Sequence, residues 1–174
     1  MIMASSLKNL SDYAPEAIPS AEGKSVALVV TDYHEHITRA LEKGARETLE
    51  KHGVAESAIR VLKIPGAYEL SSAAAWTLEW TDADAVICLG CVIRGETDHD
   101  RYINHSVANS LAELGMRSGK AVIFGLLTPN TEQQALDRAG GKHGNKGVEA
   151  AVAALRMMGL REHLLTAGRK KMGF

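Results

Sequence analysis

Gly90-Cys91-Val92-Ile93-Arg94-Gly95-Glu96-Thr97-Asp98-His99 places a glycine loop, a hydroxyl and an imidazole directly behind an apolar run that begins at Ala85. Such a run is the pattern of a strand buried on both faces. The loop residues behind it stand at the carboxyl edge of a sheet, where open parallel sheets bind their ligands. Gly95, Glu96 and Thr97 offer successive backbone N–H groups and one hydroxyl to an anion, provided that the Glu96 side chain turns outward. The His99 imidazole is the side-chain type that moves protons near neutral pH. Farther along, Arg138 carries a planar fork suited to phosphate oxygens, and Lys142 and Lys146 come after it in a glycine-rich segment. The bland alternative for Arg138 is a solvated charge beside Asp137. Lys146 precedes Gly147 rather than Ser or Thr, so the segment is no P-loop. Its lysines are candidates for long-range attraction of phosphate, and its glycines read as a kink before a last helix.

The only two cysteines, Cys88 and Cys91, are spaced like a redox pair. Residues three apart on a strand point to opposite faces, so they read as buried packing residues. His34-Glu35-His36 and the pair His99 and His105 both miss the i, i+4 spacing that puts two ligands on one helical face. No metal and no cofactor are expected. The chain has 174 residues with 20 Lys and Arg against 21 Asp and Glu, a formal net charge of −1. Nothing global draws it to nucleic acid or to an anionic membrane. The longest apolar run, residues 85–93, is about half a bilayer span, and the first residues lack the pattern of a signal peptide. A cytoplasmic protein of one domain is expected.

The elements that must position these groups alternate along the chain. Residues 1–24 hold Pro15, Pro19 and Gly23 without periodicity and read as an N-terminal arm, able to lie on a neighbouring subunit. Strands are expected over 25–31, 59–64, 85–93 and 121–127, and helices over 35–52, 68–80, 102–114, 131–139 and 145–160. Strict strand–helix alternation with short connections implies a four-stranded parallel sheet covered on both sides, a three-layer α/β sandwich of flavodoxin-like type. Residues 25–168 form this domain, and 169–174 read as a loose tail.

Five segments in this order carry a resemblance: Asp32-Tyr33-His34, Pro65-Gly66-Ala67-Tyr68-Glu69-Leu70, Gly90 to His99, Phe124-Gly125-Leu126-Leu127-Thr128, and Gln133 to Gly147. From about Ser25 to Leu160 the sequence closely resembles the 6,7-dimethyl-8-ribityllumazine synthase family. That family condenses 5-amino-6-(D-ribitylamino)uracil with 3,4-dihydroxy-2-butanone 4-phosphate. The resemblance implies roles for this chain's residues. Tyr33 and Phe124, expected at two strand ends, would contact the flat pyrimidine. Ala67, Tyr68 and Glu69, with backbone groups of Cys91, Val92 and Ile93, would hold the ribityl tail and pyrimidine edge. Glu96, Thr97 and Arg138 would bind phosphate, and His99 would transfer protons. The bland reading of Glu69 is a first-turn carboxylate complementing a helix dipole. Relatives commonly carry Arg-Phe-Asn or Arg-Trp-Asn at Asp32-Tyr33-His34, and an aromatic and an acid at Asp100-Arg101. Asp100 is a candidate to orient His99.

The resemblance also implies a homopentamer with sites between subunits, Phe124 and Arg138 coming from the next chain. It extends to an icosahedral shell of pentamers, and to riboflavin synthase as a further partner. Two other readings stay open: a flavodoxin-like module that binds a flavin or nucleotide without turnover, and a shell protein with a relic pocket. The first has no need of a phosphate pocket built from Arg138 and Thr97. The second predicts no product.

Overall fold

Val26–Thr31 (β1) and Ala85–Cys91 (β3) are buried at every residue, as their unbroken apolar runs require of strands covered on both faces. In the computed structural model, which describes residues 11–171, they form the centre of a parallel sheet. Ile59–Ile64 (β2) pairs with β1, and Ala121–Leu127 (β4) pairs with β3, giving the order β2-β1-β3-β4. β2 and β4 are only partly buried, as befits edges. The expected four-stranded α/β fold of flavodoxin-like type is therefore the fold observed.

Alternate residues of the central strands feed two separate cores. Val26, Leu28, Val30, Ile87, Leu89 and Cys91 pack with Glu35–Lys51 (α1) and Lys146–Lys171 (α5). Ala27, Val29, Val86 and Cys88 pack with Leu70–Trp80 (α2) and His99–Ser118 (α3) on the other face. Cys88 and Cys91 thus lie on opposite sides of the sheet, and burial pushes both thiols up to about 12, helped at Cys91 by the charge of Glu132. The redox pairing set aside from the sequence has no geometry here.

Several local expectations are corrected. β3 ends at Cys91, and α3 starts at His99 rather than at 102, so the imidazole belongs to the first turn of a helix. The turn before α2 is a short 3-10 segment, Ala67–Glu69. Phe124 is not at a strand end. It lies in the middle of edge strand β4, opposite Cys88, and is 37% exposed. Glu132–Asp137 (α4) is followed not by a mere kink but by a small antiparallel hairpin, Ala139–Gly141 (β5) and Gly144–Asn145 (β6). Helix α5 runs on to Lys171, into the segment read as a tail. Part of the arm also has a place in the body: Ile18 and Ala21 are buried in the first core, and the Ala21 N–H donates to His52 O at 2.8 Å. The rest of the arm, residues 1–10, and the last three residues lie outside the described residues.

Gly147 explains how the hairpin is seated. A β-carbon there would fall 1.9 Å from Leu41 O, so only glycine lets α5 begin against α1. Asn145 completes the junction: its Nδ2 donates to Ala40 O at 3.0 Å, and its Oδ1 accepts the Gly147 N–H at 2.8 Å as the cap of α5. Among the described residues, no helix is long and apolar enough to cross a membrane.

Candidate active site

β1 is flanked by β2 on one side and β3 on the other, so the chain reverses its direction of winding between β1 and β3. The crevice beyond the carboxyl ends of two such strands is where doubly wound sheets take ligands. A recess of about 400 Å3 opens there. Tyr33 enters it from the end of β1, Cys91, Val92 and Ile93 from the end of β3, Ala67, Tyr68 and Glu69 from the turn before α2, and His99 from the start of α3. Eight residues picked out in separate parts of the sequence are thus brought together, and His34, Gly66 and Ile103 join them.

The local chemistry arises from the backbone. A β-carbon on Gly66 would stand 3.0 Å from Glu69 Oε2 and 3.6 Å from a Tyr33 ring carbon, so glycine lets carboxylate and ring close over the turn. Tyr33 is 69% exposed, which leaves ring surface open to a flat ligand. His34 adopts φ 57° and ψ 49°, the only non-glycine residue with positive φ among those described. Its carbonyl accepts the N–H groups of Ile37 at 2.8 Å and Thr38 at 3.0 Å, which starts α1 and turns Tyr33 outward. Glycine visits this conformation freely and Asn more readily than other side chains, so a histidine held there is strained.

The loop between β3 and α3 is tied to the chain after β4. Val92 N–H donates to Leu127 O at 2.8 Å and Arg94 N–H to Pro129 O at 3.0 Å, extending the strand pairing past its formal end. Glu96 and Thr97 are exposed on this loop and line neither the Tyr33 recess nor the one that Phe124 enters. The Thr97 oxygen accepts the His99 N–H at 3.5 Å, leaving its own O–H to donate elsewhere.

Phe124 and Arg138 are not in the recess with Tyr33. They line a second one, of about 660 Å3, with Thr128, Pro129, Gln134, Asp137, Lys142, His143 and Lys146. Its cations are held unequally. Lys142 Nζ is 3.0 Å from Asp137 Oδ2, and Lys146 Nζ is 3.1 Å from Glu149 Oε2, whereas Arg138 has no carboxylate partner among the described residues. Hydrogen bonds from Gln133 and then Lys142 hold the Asp137 carboxyl below its ordinary range. Sequence reasoning missed Asp137, His143 and Gln134 as lining residues. Only the hairpin's return over α4 brings them to one wall. Among the described residues, no group of three His, Cys, Asp or Glu side chains is placed to hold a metal.

Fold and recesses together define a flavodoxin-like α/β protein with an open recess at the switch point of its sheet and a separate cationic recess. The sequence profile of the family described as 6,7-dimethyl-8-ribityllumazine synthase matches residues 23–162. Similar proteins include the 6,7-dimethyl-8-ribityllumazine synthase of Cytophaga hutchinsonii, 47% identical over 90% of this chain and 98% of its own length. Those of Porphyromonas gingivalis, at 46% over 91% and 98%, and Parabacteroides distasonis, at 45% over 90% and 98%, are close to it. The chain belongs to the 6,7-dimethyl-8-ribityllumazine synthase family.

Proposed function

We infer that this chain condenses 5-amino-6-(D-ribitylamino)uracil with 3,4-dihydroxy-2-butanone 4-phosphate, giving 6,7-dimethyl-8-ribityllumazine, phosphate and water. It is a transferase of riboflavin biosynthesis. The observation that carries this reading is the convergence of Tyr33, Glu69, the Cys91 to Ile93 backbone and His99 on the β1/β3 switch point of a chain nearly half identical to named synthases.

In this reading the pyrimidine lies on Tyr33, and the ribityl hydroxyls donate to Glu69 and bond the backbone of Ala67, Tyr68 and residues 91–93. The 5-amino group attacks the ketone, water leaves to give an imine, phosphate departs through an enol, and the ribitylamino nitrogen closes the ring onto the remaining carbonyl with loss of a second water. His99 carries protons between these steps. Most of the acceleration comes from holding amine and carbonyl together, an effect able to supply about 7–11 kcal/mol in well-oriented systems. The phosphate meets Arg138, Thr97 and the N–H groups around Glu96, whose exposed side chain leaves the anion to its backbone, with Lys142 and Lys146 adding attraction.

A complete site then needs two copies of the chain. Residues assigned to one reaction line two recesses, and Tyr33, Phe124, Trp76 and Trp80 are all exposed, surface of the sort that soluble proteins cover by association. A pentamer with Phe124 and Arg138 supplied by the neighbour satisfies both facts. Pentamers packed into an icosahedral shell, riboflavin synthase as a partner and a cytoplasmic location complete the proposal.

Purified protein supplied with both substrates will develop the green-blue emission of the lumazine. Emission absent from an assembled, substrate-binding sample sinks the catalytic reading and leaves a binding or shell protein.

A further inference from the structure

We propose that Asp137 is a positioning residue of the cationic recess: its carboxylate fixes Lys142, and with it the hairpin that comes after Arg138, in the arrangement that receives the phosphate of the ketone substrate. The proposal rests on the reading of that recess as the phosphate side of the synthase site.

Four bonds converge on this residue and its neighbour. Asp137 Oδ1 accepts Gln133 Nε2–H at 3.0 Å, and Oδ2 takes the Lys142 ammonium at 3.0 Å. The Asp137 carbonyl accepts the His143 N–H at 2.8 Å, and the Arg138 carbonyl accepts the Lys146 N–H at 2.8 Å. A β-carbon on Gly141 would lie 2.7 Å from the Asp137 α-carbon, so the hairpin backbone is pressed directly onto this residue. The Asp137 side chain is 12% exposed while that of Lys142 is 66% exposed. The carboxylate is therefore the fixed member of the pair, and the lysine is the one that is held.

A carboxylate beside an incoming dianion repels it, and that sets two effects of opposite sign against each other. If Asp137 acted through charge alone, neutralising it would make the recess more positive and tighten phosphate binding. If it acts by positioning, neutralising it frees the lysine and the hairpin, and phosphate binding weakens. The geometry points to the second. Charge-assisted bonds of good length on both oxygens of one buried carboxylate order the flexible side chain they reach.

The test uses the full-length assembled enzyme. In Asp137→Asn the KM for the phosphorylated ketone is expected to rise about tenfold, with kcat and the KM for the aminopyrimidine within about twofold, the pattern of a lost binding contribution. Asp137→Glu is expected to restore most of the loss. In a Lys142→Ala background, Asp137→Asn is expected to add little, because the two act as one unit. Gln133→Ala removes one bond to the carboxylate without touching its charge. It is expected to raise the same KM a few-fold, and it carries the test by itself if Asp137→Asn does not fold. A KM that stays level or falls in these variants, or effects of Asp137→Asn and Lys142→Ala that simply add, overturns the proposal. Binding of inorganic phosphate to wild type and variants, followed by calorimetry, reads the same order without turnover. Failure of the synthase reading, seen as no lumazine from wild type, is thereby distinguishable from failure of the role given to Asp137.

Discussion

His99 owes its position to a helix that starts earlier than local pattern indicates, and this bears on what the imidazole can do. At the first residue of α3 it is held by the helix and by the Thr97 turn, facing the recess that Tyr33 also enters. If approximation supplies most of the rate, as proposed, His99→Ala should lower kcat about 100-fold, the low end for a proton-transfer group, while both substrates still bind. Lumazine emission under saturating substrates checks this, and complete loss of turnover in a folded, ligand-binding variant would contradict it. His34 is the opposite case, a residue whose cost is visible. Held at positive φ by the start of α1, it should give about 1 kcal/mol of stability on replacement by glycine, read as a higher urea midpoint. The types and spacing of Tyr33, Glu69 and His99 were legible in the sequence because each stands at a strand or helix boundary. Asp137 was not, because a carboxylate at the end of a short helix looks like any solvated charge until the hairpin folds over it.

Elements were read correctly wherever burial writes a continuous apolar run or a helical period. β1 and β3 sit between two helical layers, so their runs are continuous, and the β2 and β4 registers result from pairing with them. Errors fell where no period exists: the exact start of α3, the β5–β6 hairpin and the reach of α5. The hairpin is three residues against two, too short for an alternation to register. The glycine just beyond it, in the first turn of α5, nonetheless carries a packing requirement. Gly147→Ala should cost about 3 kcal/mol or more, since the new methyl meets a backbone carbonyl that cannot turn aside. Gly168→Ala, with nothing within 4 Å, should be neutral or gain up to about 1 kcal/mol from helix propensity. Thermal or urea unfolding of the pair decides it. The two faces of β3 make another prediction. With both thiols raised to about 12, iodoacetamide at pH 8 should leave Cys88 and Cys91 unmodified in the folded protein and label both in denaturant. Rapid labelling of either in the native state would remove the account of buried packing residues.

At the scale of the whole molecule, the proposed sharing of one site between neighbouring copies makes a prediction about mixtures of inactive chains. His99→Ala and Arg138→Ala subunits, each impaired when assembled alone, should regain roughly one quarter of wild-type activity when dissociated and reassembled together in equal amounts, as random neighbours in a ring dictate. No gain over the separate variants, in rings shown by light scattering to have formed, would place both residues in one subunit's site. Sequence by itself determined the α/β class, the parallel sheet and the chemistry-bearing boundaries, because hydrophobic burial writes a period into the chain and ligand groups interrupt it. Only tertiary structure decided which groups meet. Tyr33 joined Glu69 and His99 at the switch point, and Phe124, half-exposed on edge strand β4, went with Arg138 to a different wall. Contacts between residues distant in sequence depend on strand order and on the return of short turns. Those are set by the packing of the whole chain and leave no local periodic trace.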